Sequence, residues 1–89
     1  LDLEPVRRID GISNGIALLN GLEYCLGLTN LTLLGNSISN LDALVINVQR
    51  GGLDSNSVVD VRNNPLSPEA TNTAIPFLTN HGVTVYYDP

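Results

Sequence analysis

Three kinds of side chain in this sequence could take part in chemistry: one thiol, one imidazole and a set of carboxylates. Cys25 is the only cysteine and His81 the only histidine. A thiol nucleophile needs a base within hydrogen-bond reach, and the repeat pattern described below places these two residues several turns of chain apart. We expect Cys25 to act as a small buried hydrophobe and His81 to have a structural role near a helix end. The sequence predicts no catalytic residue.

The carboxylates raise the question of a metal site. Asp10, Asp60 and Thr84 are expected on one face of a sheet, where they could in principle meet a cation. Hard cations need several convergent oxygens, whereas neighbouring strands lie about 4.8 Å apart. A solvated carboxylate, or one paired with Arg62, is therefore the prediction, with no metal. Gly51 and Gly52 do not open a helix with a lysine, so no cofactor is predicted either.

The composition limits the classes of partner. The chain has 89 residues, of which 43% are hydrophobic and 15% charged, and its net charge is -5. It is too apolar for disorder and too short for a second domain, and no apolar run reaches the ~18 residues of a membrane span. The acidic charge removes the counterion release that drives nucleic-acid binding. We predict a folded domain over residues 1–89 that binds no nucleic acid and does not insert into membranes.

An internal repeat explains why asparagine occurs eleven times. Residues 28–44 carry apolar side chains at fixed spacings around Asn36, in the pattern LxxLxLxxNxIxxLxxL. The pattern recurs twenty-two residues earlier, with Gly11 in place of a leucine, and twenty-eight residues later around Asn64. A last match, at a step of twenty-four, aligns Val83, Val85 and Asp88 with Val59, Val61 and Asn64. The repeats are predicted at about 6–27, 28–49 and 50–66.

Each repeat is predicted to consist of a strand, a turn with an asparagine, and a return segment. Residues such as Leu31 and Leu33 alternate inward along a short strand, while their neighbours point outward. An asparagine in the following turn can satisfy backbone groups of the neighbouring repeats with its amide, so Asn14, Asn36 and Asn64 are expected to form an internal ladder. The apolar residues that follow at three-residue steps predict a return segment with helical or 3₁₀ character.

The last segment, 67–89, is predicted to be a C-terminal cap. Ser67 and Pro68 are typical of the start of a helix, and Gly82 is typical of its end. Pro76 lies inside this helix, so we expect a kink or break near Ile75. The β-branched and aromatic run 83–86 predicts a final strand.

These residues resemble the twenty-two-residue leucine-rich repeats of internalins and of the phosphatase-regulator type. The resemblance covers nearly the whole chain, and residues 58–67 are similar to the final repeat of many bacterial members. It implies an α/β fold: a right-handed leucine-rich repeat solenoid with short parallel strands on its concave face and a helix-plus-strand C-terminal cap. It also implies binding rather than catalysis.

The concave face of such a solenoid would bind a protein partner. The residues expected to line it are Asp10, Ile12, Thr32, Leu34, Asp60, Arg62, Thr84 and Tyr86. Within this set, Ile12, Leu34, Arg62 and Tyr86 are expected to form a column of apolar, aromatic and arginine character, the types enriched at interface centres. The alternative is a structural capping or spacer segment of a larger cell-surface protein with no ligand of its own.

Two further expectations concern the setting of the chain. The lysine-free composition and the internalin-like repeats favour a bacterial, extracellular or cell-envelope location, although the sequence leaves a cytoplasmic one open. The chain begins like a fragment, so Val6, Ile9 and Ile16 of the first repeat are expected to be exposed. Exposed apolar residues of this kind favour self-association.

Overall fold

Four short strands form the centre of the molecule, and each contains a β-branched or leucine residue at its middle position. The computed structural model describes residues 7–12 and 15–88. The strands are β1 (Arg8–Asp10), β2 (Asn30–Thr32), β3 (Val58–Asp60) and β4 (Thr84–Tyr86), all parallel and in chain order. The chain returns between them through a 3₁₀-helix (Leu22–Tyr24), α1 (Asp42–Gln49), a π-helix (Ala70–Ala74) and α2 (Ile75–Asn80). The described residues thus form a small α/β fold.

The register of the first three strands follows the predicted steps. Ile9 pairs with Leu31, and Leu31 pairs with Val59. The predicted register of the last strand is wrong by two residues, because Val59 pairs with Val85 rather than with Val83. Val83 is instead a buried part of the preceding helix end, where its N–H donates to the Leu78 carbonyl at 3.1 Å. A shift by two residues leaves every side chain on its predicted face.

The core lies between the sheet and the helices. The middle residue of each strand faces inward, and leucines and isoleucine from the return segments meet it from the other side. Leu31, Val59, Ile38 and Leu44 are all fully buried. Gly11, which stands where the repeat pattern has a leucine, is buried in this core. A side chain would not fit there, since an added Cβ would come within 2.8 Å of the Ile16 Cδ1 atom. The isoleucine thus occupies the space of the missing leucine.

The predicted asparagine ladder is confirmed for its two described members. The Asn36 amide nitrogen donates to the carbonyls of Gly11 at 2.7 Å and Leu33 at 2.9 Å, and its oxygen accepts the Ile16 N–H at 3.0 Å. Asn64 repeats this set one strand later: it donates to the carbonyls of Leu33 and Val61 and accepts the Ile38 N–H. Asn14 lies outside the described residues.

The return segment after Asn36 forms a full α-helix, α1, which contains a second, unpredicted asparagine contact. Asn47 is fully buried and donates to the carbonyls of Leu22 at 2.8 Å and Cys25 at 3.0 Å. Its oxygen accepts the Leu53 N–H at 2.7 Å. Gly52 lies against this side chain, and an added Cβ there would come within 2.1 Å of the Asn47 Oδ1 atom. One amide thus joins three segments of the helical side.

The C-terminal helical segment begins and ends as predicted. The Ser67 hydroxyl accepts the Ala70 N–H at 3.2 Å. At the other end Gly82 has φ 90°, and its N–H donates to the Thr79 carbonyl. Together with the bond from Val83 to Leu78, this is a Schellman motif.

The helix does not break near Ile75, and the irregularity expected from Pro76 takes the form of a π-helix in the preceding turn. Ile75 has regular right-handed helical torsions, and its N–H donates to the Ala70 carbonyl five residues earlier. The π-helix Ala70–Ala74 therefore leads directly into α2. Its wider turn makes room for the Pro76 ring, which in a regular α-helix would clash with the preceding turn. Within the described part of the chain, no helix is long and apolar enough to cross a membrane.

Candidate protein-binding face

The helices pack against one face of the sheet, and the other face is here called the open sheet face. It consists of the outward residues of the strands and of the residue two positions after each of the first three strands. All eight residues of the predicted site lie on it: Asp10, Ile12, Thr32, Leu34, Asp60, Arg62, Thr84 and Tyr86. Those from the two middle strands are mostly half-buried because they have neighbours on both sides.

The register of β4 changes the expected neighbours on this face. Asp10, Thr32, Asp60 and Tyr86 form one row across the four strands. The sequence places Tyr86 beside Arg62 and Thr84 beside Asp60, and both placements are wrong by one row. Thr84 pairs with Val58, so it lies apart from the two carboxylates with which a cation site was considered. The described residues contain no cluster of three or more acidic, histidine or cysteine side chains suited to a metal.

An ion pair between Asp60 and Arg62 organises the centre of the face. Arg62 donates from Nε to Oδ1 at 3.0 Å and from Nη2 to Oδ2 at 2.7 Å, and its backbone N–H also reaches Oδ1, at 3.2 Å. The side chain of Asp60 is 14% exposed, whereas that of Arg62 is 50% exposed. The predicted pairing of this carboxylate is confirmed.

The ion pair shifts the pKa values of both Asp60 and Arg62. Hydrogen bonds from the Arg62 side chain hold the pKa of the Asp60 carboxyl below its usual value. The pKa of Arg62 is raised, first by the hydrogen bond to Asp60 and also by its charge. Both groups are therefore charged over the whole neutral range, and the pair is a fixed feature of the face.

Aromatic and apolar groups flank this pair. The Arg62 Cζ atom lies 5.7 Å from the centre of the Tyr86 ring, a diagonal contact between neighbouring rows. The Gly35 N–H donates to the Arg62 carbonyl at 3.0 Å, which brings Leu34 alongside Arg62. Ile12, two residues after β1, is exposed. Arg62 thus lies beside Leu34 and close to Tyr86, and the column that continues to Ile12 stays a prediction.

Asp88 takes part in this region in a way that sequence reasoning missed. The repeat pattern assigns it the position of Asn64, but its carboxylate accepts the Asn63 N–H at 2.6 Å. Asn63 has φ 59°, a left-handed conformation that asparagine tolerates better than most residues. The pair of asparagines at 63 and 64 is the signal that could have indicated two different backbone roles in this turn.

The thiol and the imidazole make local contacts. Cys25 is half-buried, rather than fully buried as expected, and its Sγ atom lies 3.7 Å from the Gly21 carbonyl. The Nδ1 atom of His81 lies 2.8 Å from the Phe77 carbonyl, and its ring centre lies 4.3 Å from that of Phe77. Each residue stabilises the end of its own segment.

The first repeat was expected to expose three apolar residues. Ile9 and Ile16 are half-buried, and Val6 lies outside the described residues. Leu18, which the expectation did not include, is the most exposed large apolar residue among those described. Self-association through this end stays a prediction.

No protein-family model matches the chain, and no curated protein matches it either. A functional proposal therefore depends on the geometry of the molecule itself. The features of the open sheet face that bear on function are an ordered arginine, a tyrosine and two apolar side chains.

Proposed function

We propose that this chain belongs to a right-handed leucine-rich repeat solenoid that recognises a partner protein through the open sheet face. The observation that carries the proposal is the equivalence of Asn36 and Asn64. Each donates to the carbonyl three residues earlier in its own turn and to the equivalent carbonyl of the preceding turn, and each accepts one N–H, so the Leu33 carbonyl accepts from both. Repeated use of one side chain for one set of backbone groups is what stacked repeats require.

The chemistry of the face supports protein recognition. Tyrosine and arginine are the residue types that most often dominate binding energy, and apolar neighbours exclude water around them. The Asp60 carboxylate orients the Arg62 guanidinium through two of its nitrogens, so less side-chain entropy is lost on binding. The Nη1 group is left to meet an acceptor on the partner. We propose no enzymatic activity and no cofactor.

The chain offers matched controls for testing this proposal. Tyr86 lies beneath Arg62 on the open sheet face, and Tyr24 lies beneath Arg50 on the helical side, with 4.7 Å between the Arg50 Cζ atom and the ring centre. Leu34 likewise has a counterpart in Leu26, an exposed leucine outside the sheet. The substitutions to compare are Tyr86→Ala with Tyr24→Ala, and Leu34→Asp with Leu26→Asp.

The experiment captures proteins from extracts of the source cells with the unmodified chain and with each variant. A partner whose capture falls in Tyr86→Ala and Leu34→Asp, but not in the two control variants, supports recognition by the sheet face. The affinity of the purified partner should fall by about tenfold or more for Tyr86→Ala, the loss expected for an aromatic residue at an interface centre.

The second candidate function is structural. The Schellman motif at Gly82 and the ordered strand β4 are what a segment that ends a sheet would need, and a capping or spacer role would require nothing of the open face. In that case the sheet-face variants and their controls behave alike in capture. The internalin-like repeats also support a proposed extracellular or cell-envelope location, where either role would be performed.

A further inference from the structure

A groove on the helical side of the molecule, opposite the open sheet face, contains exposed apolar residues that the repeat pattern does not explain. It lies between the segment 17–23 and α1, and is lined by Ala17, Leu18, Glu23, Asp42, Ala43 and Ile46, together with Leu19, Asn20 and Asn40. We call it the Leu18–Ile46 groove. Leu18 is 75% exposed and Ile46 is 37% exposed.

The position of Leu18 is fixed by its neighbour. Leu19 is buried in the core, so the chain must turn Leu18 outward at this point. Ile46 lies on α1 one residue before Asn47, whose side chain joins α1 to the carbonyls of Leu22 and Cys25. The two walls of the groove are thus held together by buried hydrogen bonds, and the groove exists before any ligand arrives.

The charges along the groove have one sign. Glu23 and Asp42 line it, and no arginine or histidine does. The Glu23 carboxylate is held in place, because its Oε1 atom accepts the Gly21 N–H at 2.6 Å. The only ion pair among the described residues is that between Asp60 and Arg62, on the other side of the sheet. The two carboxylates are therefore available to a ligand, and the net charge of -5 favours the approach of a cation.

From this apolar floor and acidic rim, we propose that the Leu18–Ile46 groove binds an extended basic peptide segment of a partner protein. In an extended segment, successive side chains alternate between opposite sides. Apolar side chains on one side would contact Leu18 and Ile46, while the long arginine or lysine side chains of the other side would reach back to Glu23 and Asp42 at the rim. This site is independent of the open sheet face, so the molecule would bind on both sides.

Asp42 also has a local role, which the test must separate from binding. It lies in the first turn of α1, where a carboxylate interacts favourably with the helix dipole. Glu69 has the same kind of position near the start of the C-terminal helical segment; it lines a separate pocket on the other side of Asp42, and not this groove. Glu69→Gln is therefore the matched control for Asp42→Asn. Leu26→Ser, at an exposed leucine outside both this groove and the open sheet face, is the control for Ile46→Ser.

The test follows the backbone amide signals of the isotope-labelled chain by NMR during titration with three short synthetic peptides. One alternates arginine and leucine, one arginine and serine, and one glutamate and leucine. We expect the arginine–leucine peptide to shift the amides of residues 17–23 and 40–46. Asp42→Asn should weaken its binding by about two- to fivefold, and Ile46→Ser by about tenfold, whereas both control variants should change it by less than about twofold.

Several results would overturn the proposal. It fails if the arginine–leucine peptide does not bind, or if the arginine–serine or glutamate–leucine peptide binds as tightly. It also fails if the shifts lie on the sheet strands, or if Glu69→Gln weakens binding as much as Asp42→Asn. Glu23→Gln supplies a second charge variant, because the glutamine oxygen can still accept the Gly21 N–H and so preserve the local fold. It should weaken binding by about two- to fivefold as well.

Discussion

The two sides of the molecule hold neighbouring strands together by different means. On the side where the strands end, Asn36 and Asn64 make the same three kinds of hydrogen bond one strand apart. On the helical side, each return segment has its own structure: a 3₁₀-helix, an α-helix and a π-helix that continues into α2. One side repeats, and the other does not.

This difference indicates on which side a single substitution should lower the free energy of unfolding most. The repeated side distributes its polar contacts over equivalent asparagines, so the loss of one leaves the other in place. The helical side depends on single contacts, above all on Asn47, whose amide joins the segments of Leu22, Cys25 and Leu53. Substitutions on the helical side should therefore have the larger effects.

The largest effect is expected for Asn47→Ala. The substitution leaves the buried Leu53 N–H without its partner and also removes the partner of the part-buried Leu22 and Cys25 carbonyls. Each unsatisfied buried group costs about 1–3 kcal/mol. The free energy of unfolding, measured with urea, should fall by about 3 kcal/mol or more. Asn72→Ala is the control, since Asn72 is exposed on the π-helix, and it should change stability by less than about 0.5 kcal/mol. Equal losses in the two variants would contradict the assignment.

The next effect concerns Gly52→Ala. The new Cβ would come within 2.1 Å of the Asn47 Oδ1 atom, so the amide must move away from its partners. We expect a loss of about 2 kcal/mol in the free energy of unfolding. The same substitution should cost much less when Asn47 is already alanine, because the clash is then absent. Additive losses in the double variant would show that Gly52 acts in another way.

A smaller pair of effects tests the repeated side. Asn36 is buried and Asn64 half-buried, although their hydrogen bonds match. Water can replace lost hydrogen bonds more easily at the half-buried position, so Asn36→Ala should cost about 2 kcal/mol and Asn64→Ala about 1 kcal/mol. Urea unfolding of both variants measures the difference. A larger loss for Asn64→Ala would contradict the argument that burial decides how much these hydrogen bonds contribute.

The same contrast explains how much could be predicted from the sequence. The strands β1 to β3, their register and the bonding of Asn36 and Asn64 follow from spacing alone, because a repeated environment selects the same residue type each time. Asn47 was not predicted, because the residue at the equivalent position of the preceding repeat, twenty-two residues earlier, is Cys25 rather than a second asparagine. Its sequence context therefore does not mark it among the eleven asparagines of the chain.

The candidate site, too, could be predicted from the sequence only in part. Alternation along the strands predicted which residues face outward, and the strand residues of the predicted site, Asp10, Thr32, Asp60, Thr84 and Tyr86, do so. Their neighbours across β3 and β4 depended on the helical segment between these strands. Its π-helix and its Schellman motif use more chain than a match at twenty-four residues allows, so Tyr86 lies beside Asp60. Apolar periodicity does not measure the length of such a segment.

The smallest effect is expected at the ion pair on the open sheet face, and it depends on pH. The pKa of Asp60 is lowered in the folded chain, so its contribution to stability is present above the pKa of the unfolded chain, about 3.9, and is lost as the pH falls through the folded value. Asp60→Asn should therefore lower the free energy of unfolding near pH 7, by less than about 1 kcal/mol because the pair is partly exposed to solvent. Urea unfolding between about pH 2 and pH 7 should show the two curves converging in acid. Asp54→Asn controls for the loss of a negative charge outside the ion pair. A difference between the unmodified chain and Asp60→Asn that stays constant with pH would mean that the carboxylate stabilises this face by its shape rather than by its charge.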